Sequence, residues 1–166
     1  MKIVEGTLHG EHKRFAIVMS KVNSLVTENL LEGAVECLKK NGVDKSAILV
    51  IRVPGAWEIP VAAERVAKSN AFDAVICLGA IVKGETPHFE YVAGEVSKGI
   101  AEISRKTGKP VAFGVLITDT LDQATVLTGE NGSNKGWEAA ASALEMVNLM
   151  EQIGQFEGSS FLSGLF

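Results

Sequence analysis

A three-layer α/β/α fold on a four-stranded parallel sheet is the architecture this sequence predicts, and three observations predict it. Short, nearly continuous apolar runs occupy residues 15–20, 47–53, 74–81 and 110–117. Runs of that length and density suit strands covered on both faces. Helical periodicity fills the stretches between them, and the repeated strand–helix–strand order requires parallel pairing with right-handed crossovers and helices on both faces. With four strands, the flavodoxin-like order 2-1-3-4 is expected.

Each helix has its own signal. Val26, Leu30, Ala34 and Leu38 recur every four residues, and Gly42 supplies the stop. Residues 59–67 make a shorter helix. Phe89, Val92, Val96, Ile100 and Ile103 form a second apolar stripe, with Pro87 at a favoured first-turn position. Thr120 and Gln123 have capping-box spacing and open a short helix. The last helix is expected over 134–153, with Ala140, Leu144 and Val147 on one face.

Two ends stand apart from this core. Residues 2–8 alternate weakly, as an additional N-terminal edge strand would, placed in this sheet or in that of a neighbouring subunit. Residues 155–166 read QFEGSSFLSGLF and carry Phe156, Phe161, Leu162, Leu165 and Phe166, too much apolar surface for a solvated tail. The expected division is a single domain over 1–153 and an apolar C-terminal extension over 154–166, packed on this chain or on another.

The 166 residues suit one domain with one core. A net charge of −4 gives no long-range attraction to nucleic acid, and Lys39-Lys40 at a helix end complements the helix dipole rather than forming a basic stripe. Cys37 and Cys77 each lie inside an apolar pattern, without a second cysteine or a histidine at ligand spacing. They read as buried free thiols of a reducing compartment. No apolar run approaches the roughly 18 residues of a membrane span, and the first fourteen residues lack the basic-then-apolar order of a signal peptide. A cytoplasmic protein with no membrane partner is expected.

In an open parallel sheet, ligands sit beyond the carboxyl ends of the strands. The residues there are 20–23, 53–58, 79–88 and 113–120, rich in backbone-accessible and aromatic groups and poor in acids and bases. His9 and His12 lie in a polar N-terminal segment and read as surface residues. His88 follows Gly84-Glu85-Thr86-Pro87 at the start of a helix. It is either a surface or capping histidine or a proton shuttle suited to work near neutral pH. The run 83–87 can present backbone N–H groups to an anion, although it has no Walker-type ending. Trp57, just after a Pro-Gly-Ala turn, is either a lid over the core or a stacking surface for a flat ring.

Taken together, residues 52–63 (RVPGAWEIPVAA), 84–92 (GETPHFEYV), 95–100 (EVSKGI), 113–116 (FGVL) and 134–140 (NKGWEAA) resemble the lumazine synthase family. The resemblance covers about 1–153 and leaves the tail outside. It implies condensation of 5-amino-6-(ribitylamino)uracil with 3,4-dihydroxy-2-butanone 4-phosphate, with no metal or redox cofactor. Much of the acceleration would come from holding two reactive substrates together. By the same resemblance, His88 moves protons, and Ala56, Trp57, Glu58, Ala80, Ile81 and Val82 surround the pyrimidine and its ribityl chain. Glu85 and Thr86 meet the phosphate through backbone groups. Phe113 comes from the adjacent subunit, and Lys135 stands where the family keeps a lysine. A homo-oligomer is implied, a pentamer that in some members builds a 60-subunit cage.

Two positions depart from the family pattern. Val22 stands where the resemblance leads one to expect an aromatic ring on the pyrimidine, and a stacked ring contributes about 0.5–1.5 kcal/mol beyond its area. Leu127 stands in place of the phosphate-holding arginine, with Asn131 in place of a nearby lysine and Glu130 adding a negative charge. Losing a charge-assisted contact of this kind costs on the order of 1.5–3 kcal/mol. The chain therefore reads either as an impaired enzyme or as a disabled or redesigned scaffold, an assembly subunit or an altered ligand binder. Drift in a paralogue and deliberate redesign both produce such a pattern.

Overall fold

β-Branched and aliphatic runs fix the sheet. In the computed structural model, which describes residues 1–129 and 133–157, four strands form: β1 (Phe15–Ser20), β2 (Ile48–Val53), β3 (Ala74–Val82) and β4 (Val111–Thr118). All pair in parallel in the order β2-β1-β3-β4, the expected topology. Expectations that fall on Glu130, Asn131 and the tail from Gly158 onward lie outside the described residues.

Strand alternation divides the interior into two layers. Phe15, Ile17 and Met19 of β1 join Ile76 and Leu78 of β3 under helices α1 (Ser24–Lys40) and α5 (Lys135–Glu157). Val18, Val75 and Cys77 face the other way, against α2 (Ile59–Ala67) and α3 (His88–Thr107). A short helix, α4 (Leu121–Val126), follows β4, and its Thr120–Gln123 capping box forms as read from the sequence.

The strands are not all covered on both faces. Only β1 and most of β3 are buried throughout. The outer strands β2 and β4 each have one neighbour, and Leu49, Phe113 and Ile117 remain open. Their apolar side chains read in sequence like those of interior strands, but position in the sheet decides cover.

The helix layer depends on one close approach. A Cβ at Gly136 would lie 1.9 Å from the Leu30 carbonyl oxygen, so glycine there lets α5 cross α1 backbone to backbone. Asn134 caps α5: its Oδ1 accepts from the N–H groups of Gly136 (2.8 Å) and Trp137 (3.1 Å). Its Nδ2 donates to the carbonyls of Asn29 and Thr128. Gly42 ends the α1 segment at φ +93°, a conformation that favours glycine.

Several boundaries differ from expectation. Pro87 is the N-cap of α3 rather than a residue of its first turn. Helix α5 begins after its cap residue and runs to Glu157, carrying Gln155 and Phe156 past the expected domain edge at 153. Gly154 meets nothing within 4 Å, so one surface glycine lowers helix propensity without stopping the helix.

Residues 2–8 add no fifth strand to this chain's sheet. They run along α5, where Gln152 donates to the Glu5 carbonyl and Asn148 donates to those of Thr7 and His9. Side-chain amides of a helix here occupy backbone acceptors that a sheet ladder would otherwise use. His9 and His12 are exposed beside Glu11, as surface residues should be.

Candidate active site

The β1–α1 turn is shaped by two hydrogen bonds. Lys21 N–H donates to Val53 O (2.9 Å), prolonging the β1–β2 ladder by one residue. Asn23, in left-handed backbone conformation (φ 57°), sends its Nδ2 to Ala80 O at 3.1 Å. The turn is thereby tied to the ends of both neighbouring strands, and Val22 between them is left 52 % exposed.

Beyond β2, Gly55 opens the single helical turn Ala56–Glu58, and the Glu58 carboxylate accepts from Gly55 N–H at 3.0 Å. This turn buries Ala56 and pushes Trp57 outward, 58 % exposed. Beyond β3, Lys83 N–H donates to Thr118 O (2.9 Å), and an exposed loop leads to His88 on the first turn of α3.

These pieces enclose a cavity of about 720 Å³. It is lined by Val22, Ala56, Trp57, Glu58, Ala80, Ile81, Val82, Thr86 and His88 of the residues singled out from the sequence. Glu85 is exposed and off the lining, while its neighbours Gly84 and Thr86 are on it. Asn23 and Gly55, from the strand-end stretches picked out in the sequence, and Phe89, Tyr91 and Val92, which lay outside those stretches, complete the wall. Tyr91 was findable, since a residue three places after His88 shares its helix face.

Phe113, Leu127 and Lys135 are not in this cavity. They gather in a second hollow, about 320 Å³, on the β4–α5 edge, together with Glu138 and Ala139. Lys135 Nζ is 2.7 Å from Glu138 Oε2, a partner the sequence reading missed. Leu127 ends α4 and packs, partly buried, against the α1–α5 side of the core. Its carbonyl accepts from Lys135 N–H at 2.9 Å, so the residue in the expected arginine position serves as packing and a backbone anchor.

The cavity's ionisable lining consists of Glu58, His88 and Tyr91. This set can accept, donate or relay protons, and the exposed indole offers a flat stacking face. Neither cysteine takes part. Burial raises both thiols, Cys77 to about 12, which keeps them protonated and unreactive. Among the described residues no three His, Cys, Asp or Glu side chains meet as metal ligands, and no helix is long and apolar enough to cross a membrane.

The model of the 6,7-dimethyl-8-ribityllumazine synthase family matches residues 12–151. That span contains all four strands, both hollows and His88. With its sheet order and its match over most of its length, the chain belongs to the 6,7-dimethyl-8-ribityllumazine synthase family.

Proposed function

We propose that the chain catalyses the lumazine-forming condensation of 5-amino-6-(ribitylamino)uracil with 3,4-dihydroxy-2-butanone 4-phosphate, at a rate lowered by Val22 and Leu127. The observation that carries this reading is the division of the predicted residues between two hollows. One holds the ring-facing residues and His88; the other holds Phe113, Leu127 and Lys135. Such a division suits a site completed when the β4–α5 edge of one copy closes the cavity of the next, as in a pentamer. Open apolar groups on that edge, Phe113, Ile117 and Val126, suit the same contact.

In this reading the pyrimidine rests over Ala80, Ile81 and Val82 with Trp57 beside it, and the backbone at Glu85 and Thr86 faces the phosphate. His88 moves the protons that imine formation and ring closure require. Much of the acceleration comes from holding both substrates in register, and His88 supplies the proton-transfer part. In this reading no cofactor takes part, and a cytoplasmic location goes with it.

Lumazine formation from both substrates at high butanone-phosphate concentration tests this. Slow turnover is expected, and Leu127→Arg with Val22→Phe should raise it by one to two orders of magnitude, about 1.4 kcal/mol for each tenfold. No turnover in either form would favour the second reading. There, the fold persists as a self-assembling scaffold, a pentamer or larger cage, and the apolar substitutions at Val22 and Leu127 reflect a pocket released from catalysis.

A further inference from the structure

Helix α5 carries more apolar surface than its own core uses. Ala140, Leu144 and Val147 are buried on its inner face. Met146, Met150 and Ile153 are exposed, and their helical spacing sets them in one stripe on a flank of that face. The N-terminal strap leaves the stripe open, because Asn148 and Gln152 hold the strap on the opposite flank. Towards its start the stripe continues the flank on which Ala139 and Ser142 line the β4–α5 hollow. Apolar side chains beyond the core face of a helix call for a second cover. Methionines, unbranched and polarizable, suit a cover of irregular shape.

A segment outside the described residues has the matching chemistry. Residues 158–166 carry no charged side chain, and Phe161, Leu162, Leu165 and Phe166 are large and apolar. They follow Glu157 of α5 through Gly158-Ser159-Ser160. Gly and Ser let a chain turn away from a helix, and a link of that length reaches about 10 Å, the spacing of packed elements. Residues 161–166 span up to about 20 Å when extended. From Glu157 back to Met146 is about 16 Å of helix, within that reach. In an extended chain alternate side chains share a face, so Phe161 with Leu165, or Leu162 with Phe166, meets the stripe. A tether this short holds the local concentration in the millimolar range, which favours the chain's own stripe over that of a second copy.

We propose that residues 161–166 fold back and dock on the stripe formed by Met146, Met150 and Ile153 of their own chain. The contact is independent of the reaction read for the cavity.

Oxidation by dilute hydrogen peroxide, followed at Met146 and Met150 by mass spectrometry, reports the cover, because attack follows exposure. The full chain is compared with a chain shortened to end at Glu157. A tail docked for about nine-tenths of the time slows both methionines about tenfold, since the reagent reaches only the open form. A full-length quadruple variant, Phe161→Ser, Leu162→Ser, Leu165→Ser and Phe166→Ser, should oxidise as fast as the shortened chain. Buried Met19 should stay slow in every form; if it speeds up in the shortened chain, the quadruple variant alone decides. Equal rates in the full chain and the quadruple variant overturn the proposal, whether the stripe lies open or beneath a second copy. Refolding the full chain together with an isotope-labelled shortened chain separates own cover from a neighbour's. The labelled Met146 and Met150 should stay fast; slow oxidation there would put the tail on a second copy and overturn the proposal as well.

Discussion

The cavity above β1 and β3 and the hollow beside β4 hold the two parts of one proposed site, yet they are built differently. The first stands on interior strands: Ser20 and Gly79 are buried, and a Cβ at Gly79 would come within 3.1 Å of Ile59. Its frame is thus fixed by the same packing that holds the sheet. The second stands on an edge strand whose outward side chains touch solvent, with Phe113 45 % exposed. An outward side chain on such an edge can be exchanged at little cost to the core, whereas a change in the interior frame would cost the fold. Val22, 52 % exposed, and Leu127, partly buried, both stand outside the fully buried frame.

The comparison can be broken most sharply at His88. Its side chain is exposed, so His88→Ala should leave the melting temperature nearly unchanged while lowering lumazine formation by about 10²–10⁴-fold. A loss under tenfold would remove proton transfer from the cavity's role. Next in size is a pair of truncations. Leu78→Ala, at a fully buried interior position, should cost about 2–5 kcal/mol and lower Tm by roughly 5–15 °C. Phe113→Ala should cost under about 1 kcal/mol in the separated chain and appear instead as weaker assembly by light scattering. Equal losses of Tm would erase the distinction between interior and edge.

A smaller effect reports how dry the interior is. Burial raises the Cys77 thiol from 9.0 to about 12, so the unfolded chain ionises first as pH rises. The thiol's contribution to stability is complete below pH 9.0 and declines between there and about 12, by up to about 1.4 kcal/mol per pH unit. Melting curves from pH 7 to 11 should therefore fall less steeply for Cys77→Ala; identical slopes would mean that water reaches β3. The smallest change expected is at the edge. Glu138→Gln frees Lys135 from an exposed ion pair worth at most about 1 kcal/mol, so KM for the phosphate substrate should drop by no more than about fivefold. A larger drop would show that this ion pair, rather than Leu127, is the main obstacle to phosphate.

Most of the fold was legible because local chemistry and tertiary demand agree. Residues 15–20 became β1 without a change of boundary, and Val26, Leu30, Ala34 and Leu38 all reached the core. His88, Trp57 and the strand-end residues were legible as site candidates because a parallel sheet puts its carboxyl ends together. Tyr91 and Glu138 were missed because each reaches its hollow only by helix spacing from a residue already chosen, His88 and Lys135. Segment 2–8 adds no strand to this chain's own sheet and lies along α5, held by the amides of Asn148 and Gln152; an extended strand and an extended strap share the same alternation.

By itself the sequence determined the layer order, the strand order, the two buried thiols and the family, since these follow from periodicity and from motifs read along the chain. Tertiary structure alone decided which apolar strands lie at the edges, how close α1 and α5 come at Gly136, and that the chosen site residues fall into two hollows. Those properties depend on which surfaces are left after packing, and residues distant in sequence set them together.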